Sequence, residues 1–299
     1  MTRLISKVLV IVFVSTTPLI ALSQTVLNDS IMNGLNFEKA AFRLWIHKDI
    51  KKVRGIIVMV PGSNGDGRNM VEKAEWQNLA KEHDMALMAC NFRDKKVSAV
   101  EEYADVSKGS GQAMLDVIKR FAGKSGHKEL ATAPLVLWGM SAGGEVNYEL
   151  ACWIPERVIC FIVNKGGVYY TALASEATRA VPGVFLTGEV DNPYRNNIVY
   201  GLFSVNRRFG AKWIYAEEPG TGHQFARSET FALEYFHQMI PLRLPAKVGD
   251  PLAPLYPEGF IGEMETKQVS AFEKGKRYKG ITVWLPNMAI ADLWHSLMK

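Results

Sequence analysis

Short, continuously apolar runs alternate along this chain with segments of helical periodicity, and that alternation limits the fold more than any other feature. The runs are Gly55-Ile-Ile-Val-Met-Val60, Met85 to Cys90, Leu135-Val-Leu-Trp138, Val158 to Val163, Val184-Phe-Leu-Thr187 and Trp213-Ile-Tyr-Ala216. Runs without polar interruption belong to strands buried on both faces. Between them, Trp76, Leu79 and Ala80 have helical spacing. So does Glu101 to Phe121, with Val106, Ala113, Met114, Val117, Ile118 and Phe121 on one face. Further helices are expected after Gly143, through Cys152, and from Ser228 to Ile240. Phe42-Arg-Leu-Trp-Ile-His47 alternates instead, as an edge strand does. The expected class is α/β, one open and mostly parallel sheet with helices on both faces.

Pro241-Leu-Arg-Leu-Pro245 marks a change of composition, and four further prolines follow between Pro251 and Lys299. The stretch 241–299 is expected to be an extension packed on a catalytic domain spanning 24–240, with a last helix from Asn287. At the other end, Arg3 and Lys7 precede the apolar run Val8 to Val14, a break at Pro18 and the small-residue close Ala21-Leu22-Ser23. This is the pattern of a secretory signal peptide over 1–23. Val8 to Leu22 is fifteen residues, short of the roughly twenty that span a bilayer. The mature chain is therefore expected to be secreted or periplasmic, without a membrane span.

Composition narrows the function classes. With 48% apolar and 22% charged residues the chain is neither disordered nor of low complexity. The net charge of +5 is spread without a Lys/Arg block, so nucleic acid is not an expected partner. Cys90, Cys152 and Cys160 form no CxxC pair, and three thiols leave at least one free.

The chemistry concentrates at Gly139-Met140-Ser141-Ala142-Gly143, directly after an expected strand and before an expected helix. G-x-S-x-G in that setting is a nucleophile elbow: a sharp turn that lifts a serine hydroxyl clear of the sheet edge. A serine needs a base. Of six histidines, His47, His83, His127, His237 and His295 fall on a strand, in helical turns or in a loop away from the late strands. Only His223, in Pro219-Gly-Thr-Gly-His223, follows a late parallel strand, where ligands gather in open α/β sheets. Gly188-Glu189-Val190-Asp191 supplies the orienting carboxylate; Asp191, beyond the turn, is preferred to Glu189. The order Ser141, Asp191, His223 is that of this triad.

The oxyanion donors are expected to be the backbone amides of Ala142 and of Ser63, with that of Asn64 next, the latter two in the loop Pro61-Gly62-Ser63-Asn64-Gly65-Asp66-Gly67. Asn64, Met140 and Tyr169 are candidate substrate contacts, and Lys165-Gly-Gly-Val-Tyr-Tyr170 a candidate rim. Gly62 to Gly67 is spaced like a phosphate loop, but Arg68-Asn69 replaces the lysine and hydroxyl residue that chemistry requires. It also fails as a calcium loop, with Gly62 and Lys73 at the first and last ligand positions. No motif implies a metal or cofactor.

These residues together resemble the α/β-hydrolases over about 40 to 240. Gly-Met-Ser-Ala-Gly-Gly with a glycine-rich oxyanion loop is similar to secreted feruloyl and acetyl-xylan esterases and polyhydroxybutyrate-depolymerase-like enzymes, although Pro61 stands where many of those carry histidine. The resemblance implies ester hydrolysis through an acyl-serine, without a cofactor, on carbohydrate-linked acetyl or feruloyl esters or on polyesters. A serine peptidase on the same fold and a non-catalytic binding protein are the alternatives.

Overall fold

In the computed structural model, residues 24–96, 98, 100–255, 259–278 and 280–299 are described. The expected signal segment 1–23 lies outside them. The main sheet has eight strands: β1 (Gln24–Met32), β2 (Lys39–His47), β3 (Gly55–Val60), β4 (Met85–Arg93), β5 (Leu135–Met140), β6 (Val158–Asn164), β7 (Gly183–Gly188) and β8 (Trp213–Glu218). Their order is β1-β2-β4-β3-β5-β6-β7-β8. The strands from β4 to β8 run parallel, and β1 and β2 join antiparallel at one edge. Every residue of β3, β5, β6 and β7 is buried, as uninterrupted apolar sequence requires.

The helices are α1 (Ala74–Glu82), α2 (Ser110–Ser125), α3 (Ala142–Trp153), the short α4 (Glu176–Ala180), α5 (Pro193–Arg208) and α6 (Ser228–Arg243). Two expectations are corrected. Glu101 to Phe121 is not one helix: two 3₁₀ turns, Glu102–Ala104 and Val106–Lys108, precede α2, because Gly109 at φ 134° breaks the helical path. Phe42 to His47 is not at the edge either. The residues before it form β1, paired from Gln24↔His47 to Met32↔Lys39. Asn28, Asp29 and Ser30 lower its strand propensity, and only alternate residues are partly covered. Tertiary bonds hold it in place: Asp29 accepts from Arg120 at 3.0 Å and Lys124 at 2.7 Å, both on α2.

Beyond α6, three short strands, β9 (Phe260–Glu263), β10 (Val269–Ala271) and β11 (Thr282–Leu285), form a second antiparallel sheet in the order β10-β9-β11. It was not expected from the sequence. The last helix, α7 (Met288–Leu297), starts as expected at Asn287, whose Oδ1 accepts the amide of Ile290 at 2.9 Å. Its buried Trp294 donates Nε1–H to the carbonyl of Tyr215 in β8 at 2.8 Å, fastening this segment to the main sheet.

Candidate active site

Ser141 joins β5 to α3 at φ 57° and ψ −129°, a conformation costly for a residue with a Cβ. The sequence imposes it by close packing on either side. A Cβ at Gly139 would lie 2.4 Å from the carbonyl oxygen of Gly143, and one at Gly143 would lie 2.1 Å from that of Val60. The Ser141 amide donates to the carbonyl of Asn164 at 2.8 Å, pinning the turn to the end of β6. Ala142 is the first residue of α3, so its amide has no partner within the helix. Gly62 passes close by, where a Cβ would lie 3.6 Å from that of Ser141, and Ser63 lines the cleft with Ser141.

Asp191 follows β7 and His223 follows β8. His223 Nδ1 stands 2.9 Å from Asp191 Oδ2. The other oxygen of Asp191 accepts the Asn192 amide at 2.7 Å, and the residue is 8% exposed. Glu189 points elsewhere, accepting the Gly220 amide at 2.7 Å. The loop carrying His223 is held on both sides. Phe225 packs on Trp138 with ring centroids 6.1 Å apart, and the Arg227 amide donates to Glu218 Oε1 at 2.7 Å. No hydrogen bond joins Ser141 to His223 among the described residues; such contacts commonly tighten only when substrate is bound.

A cleft of about 330 Å³ opens at Ser141, lined also by Ser63, Glu101, Glu145, Gly167, Val168, Asn192, Tyr194, Arg195 and Ile198. The three candidate contacts fall outside it. Asn64, at φ 52°, is turned inward: its amide donates to the Tyr103 hydroxyl at 3.1 Å and its Oδ1 accepts the Asp94 amide at 2.8 Å. Met140 ends a buried strand. Tyr169 packs edge-on against Tyr148 and borders a neighbouring apolar groove with Ile198, Leu202 and Val205. Lys165 is not on the rim, since its side chain is wholly buried against Glu218.

Glu145, Glu101 and Arg195 were missed in the sequence. Glu145 left a trace: with Glu149 it forms a carboxylate pair four residues apart on a largely apolar, buried helix. Both grip the loop after β6. Glu145 Oε1 accepts the amides of Gly167 at 2.8 Å and Val168 at 2.9 Å; Glu149 Oε1 accepts those of Tyr170 at 2.8 Å and Thr171 at 2.9 Å. Burial pushes the Glu145 carboxyl up to about 7. Arg195, on α5, places Nε 3.7 Å from Asp191 Oδ2. Away from the cleft, Glu82, His83 and His237 bring their donor atoms within 4.8 Å of one another between α1 and α6, and share no residue with the site.

Strand-end loops after β3, β5, β7 and β8 thus meet at one sheet edge, with a strained serine between strand and helix. The fold is that of the α/β-hydrolases. Solved structures agree with this. A ferulic acid esterase superposes with a TM-score of 0.53 at 11% identity, covering 73% of this chain and 98% of its own. An S-formylglutathione hydrolase from Agrobacterium tumefaciens gives 0.54 at 12%, covering 74% and 96%. A poly(3-hydroxybutyrate) depolymerase from Bordetella parapertussis gives 0.53 at 17%, covering 74% and 91%. No protein-family model matches this chain, and no curated protein does. Among the described residues, no helix is long and apolar enough to cross a membrane.

Proposed function

We propose that the protein hydrolyses carboxylic esters through an acyl-serine intermediate. The observation that carries this reading is the strained Ser141, facing a cleft at the same sheet edge as a His223–Asp191 pair 2.9 Å apart. Ser141 Oγ attacks the ester carbonyl as His223 Nε2 takes its proton; the carbonyl oxygen gathers negative charge beside the amides of Ala142 and Ser63. Collapse breaks the bond to the alkoxide, which leaves with the proton from His223. Water, deprotonated by the same imidazole, then releases the acid. Asp191 stays ionised, holding the imidazole in the useful tautomer.

The substrates we assign are short or aromatic acyl esters on carbohydrates or polyesters; the ferulic acid esterase and the poly(3-hydroxybutyrate) depolymerase among the structural neighbours support that class. Secretion after cleavage near Ser23 follows from the N-terminal pattern. In this reading 24–240 carries catalysis and 241–299 is an extension upon it. A fluorophosphonate probe tests the assignment: it should label the wild type once and leave Ser141→Ala unlabelled. An unlabelled wild type would mean a binding protein on a hydrolase fold.

A further inference from the structure

Glu145 stands four residues after Ser141, lines the same cleft, and is 3% exposed. Its Oε1 is taken by the two loop amides, whereas its Oε2 is buried without a hydrogen-bond partner among the described residues. Glu149, one turn on, shows what loop anchoring alone requires. Its Oε1 holds two amides and its Oε2 accepts the Thr171 hydroxyl at 2.7 Å, so neither oxygen is left over. Anchoring therefore explains one oxygen of Glu145 and not the other. Arg195 does not fill the gap: its Nη1 donates to the Lys165 carbonyl at 3.5 Å, and its Nε lies 3.7 Å from Asp191 Oδ2. That Nε, like the Tyr169 hydroxyl, is buried without a hydrogen-bond partner among the described residues, so the orphan groups cluster at this end of the cleft. A buried oxygen left unpaired beside a nucleophile calls for a ligand group.

The chemistry of that group follows from the carboxyl. Burial holds Glu145 at about 7, so both its protonation states are present near neutral pH. An ether or carbonyl oxygen pairs only with the acid, and an ammonium only with the carboxylate. A hydroxyl pairs with either, accepting from one form and donating to the other. We propose that Glu145 Oε2 is a hydroxyl-recognising subsite, and that the preferred substrates are esters bearing a free hydroxyl near the scissile bond, as sugars and other polyols do. The inference rests on the ester-hydrolysis reading above. Glu101, Asn192 and Tyr194 give the rest of the cleft polar groups for such a substrate.

Two matched ester pairs test it. One varies the acyl side, p-nitrophenyl 2-hydroxypropanoate against propanoate. The other varies the alcohol side, the monoacetate of cyclohexane-1,2-diol against cyclohexyl acetate. In at least one pair the hydroxylated ester should have a kcat/KM about 10²-fold higher or more, because its analogue leaves Oε2 unpaired. Methylating that hydroxyl supplies a readout that loop anchoring does not move. The hydroxyl-to-ether ratio should widen as pH rises through 7, since the carboxylate cannot donate to an ether. The other groups facing Glu145 are Glu101 before α2, Arg195 on α5, Glu149 one turn on, and Tyr169, which burial keeps protonated. Glu145→Gln keeps an oxygen for the Gly167 and Val168 amides and puts a permanent donor at Oε2, so its ratio should not change with pH. Turnover of all four esters with no preference in either pair overturns the subsite, as does a pH-dependent ratio that persists in Glu145→Gln. Failure to cleave any of them, with no fluorophosphonate label, overturns the ester-hydrolysis reading itself.

Discussion

Lys165 Nζ lies 3.1 Å from Glu218 Oε2, with both side chains sealed from solvent. Lys165 follows β6, Glu218 ends β8, and the pair passes beside the end of β7, where a Cβ at Gly188 would lie 3.0 Å from Lys165 Cε. The other oxygen of Glu218 holds the Arg227 amide. One buried ion pair thus sits beneath the loops carrying Asp191 and His223. Burial lowers the Lys165 ammonium and the facing Glu218 opposes that shift.

Removing Lys165 leaves the buried Glu218 with only the half-exposed Arg227 guanidinium, 3.7 Å from its other oxygen, as a counter-charge. Breaking a buried pair in this way typically costs about 3–5 kcal/mol. Lys165→Met should lose that much in urea denaturation. Lys165→Met combined with Glu218→Leu should recover part of the loss, because no orphan charge remains. A double variant as unstable as the sum of the singles would show that the two side chains act independently.

The choice of acid is tested by kinetics on p-nitrophenyl acetate. Asp191→Asn should lower kcat by roughly 10⁴-fold, as it does when the tautomer-fixing carboxylate of a serine triad is lost. Glu189→Gln keeps an oxygen for the Gly220 amide and should stay close to wild type. Ser141→Ala and His223→Ala should each cost nearly as much as both together. If Glu189→Gln abolished turnover and Asp191→Asn did not, the acid would be Glu189.

Asp29 sets the acid response of the sheet edge. Its bonds to Arg120 and Lys124 lower its carboxyl to about 2. A carboxylate held below its unfolded value adds stability above that value and loses it as pH falls through the folded one. Wild type should therefore shed the β1–α2 attachment between about pH 4 and pH 2. Asp29→Asn should be less stable at pH 7, and the gap between the two proteins should narrow as pH approaches 2. A gap constant across that range would remove the ion pairs from the account.

How far the sequence could be read depended on whether a signal was local. The parallel strands were legible because burial on both faces leaves an uninterrupted apolar run, and the elbow because its glycines and serine are contiguous. β1 was not, since Asn28, Asp29 and Ser30 become a strand only through β2 and α2. The 3₁₀ turns before α2 share a helix's apolar spacing, and the backbone of Asp105 (ψ 79°) and of Gly109 (φ 134°) interrupts them. Asn64 was read as a substrate contact because it stands beside Ser63; its positive φ turns it instead toward Asp94, thirty residues away. Lys165 was grouped with the rim segment that runs to Tyr170, because its buried partner lies fifty-three residues on in the sequence. Arg195 reaches the cleft only because α5 begins immediately after Asp191.

The elbow glycines give the last prediction. At Gly143 an added methyl would lie 2.1 Å from the Val60 carbonyl oxygen and 2.7 Å from that of Pro61. Neither can yield as a flexible side chain would, because both belong to the backbone leading out of β3. Gly143→Ala must therefore push the start of α3 away from the Pro61–Asn64 loop. The amide of Ala142 rides on the first of these and that of Ser63 on the second. Their separation should grow, and the variant should lose kcat together with about 1–3 kcal/mol of stability, the usual cost of overpacking. Gly123, on α2, is the control: a Cβ there meets nothing within 4 Å, and alanine in a helix interior gains about 0.5–1 kcal/mol over glycine. Gly123→Ala should raise the melting temperature and leave kcat/KM unchanged. Equal kcat in wild type and Gly143→Ala would show that the close approach of α3 to β3 does not set the oxyanion geometry.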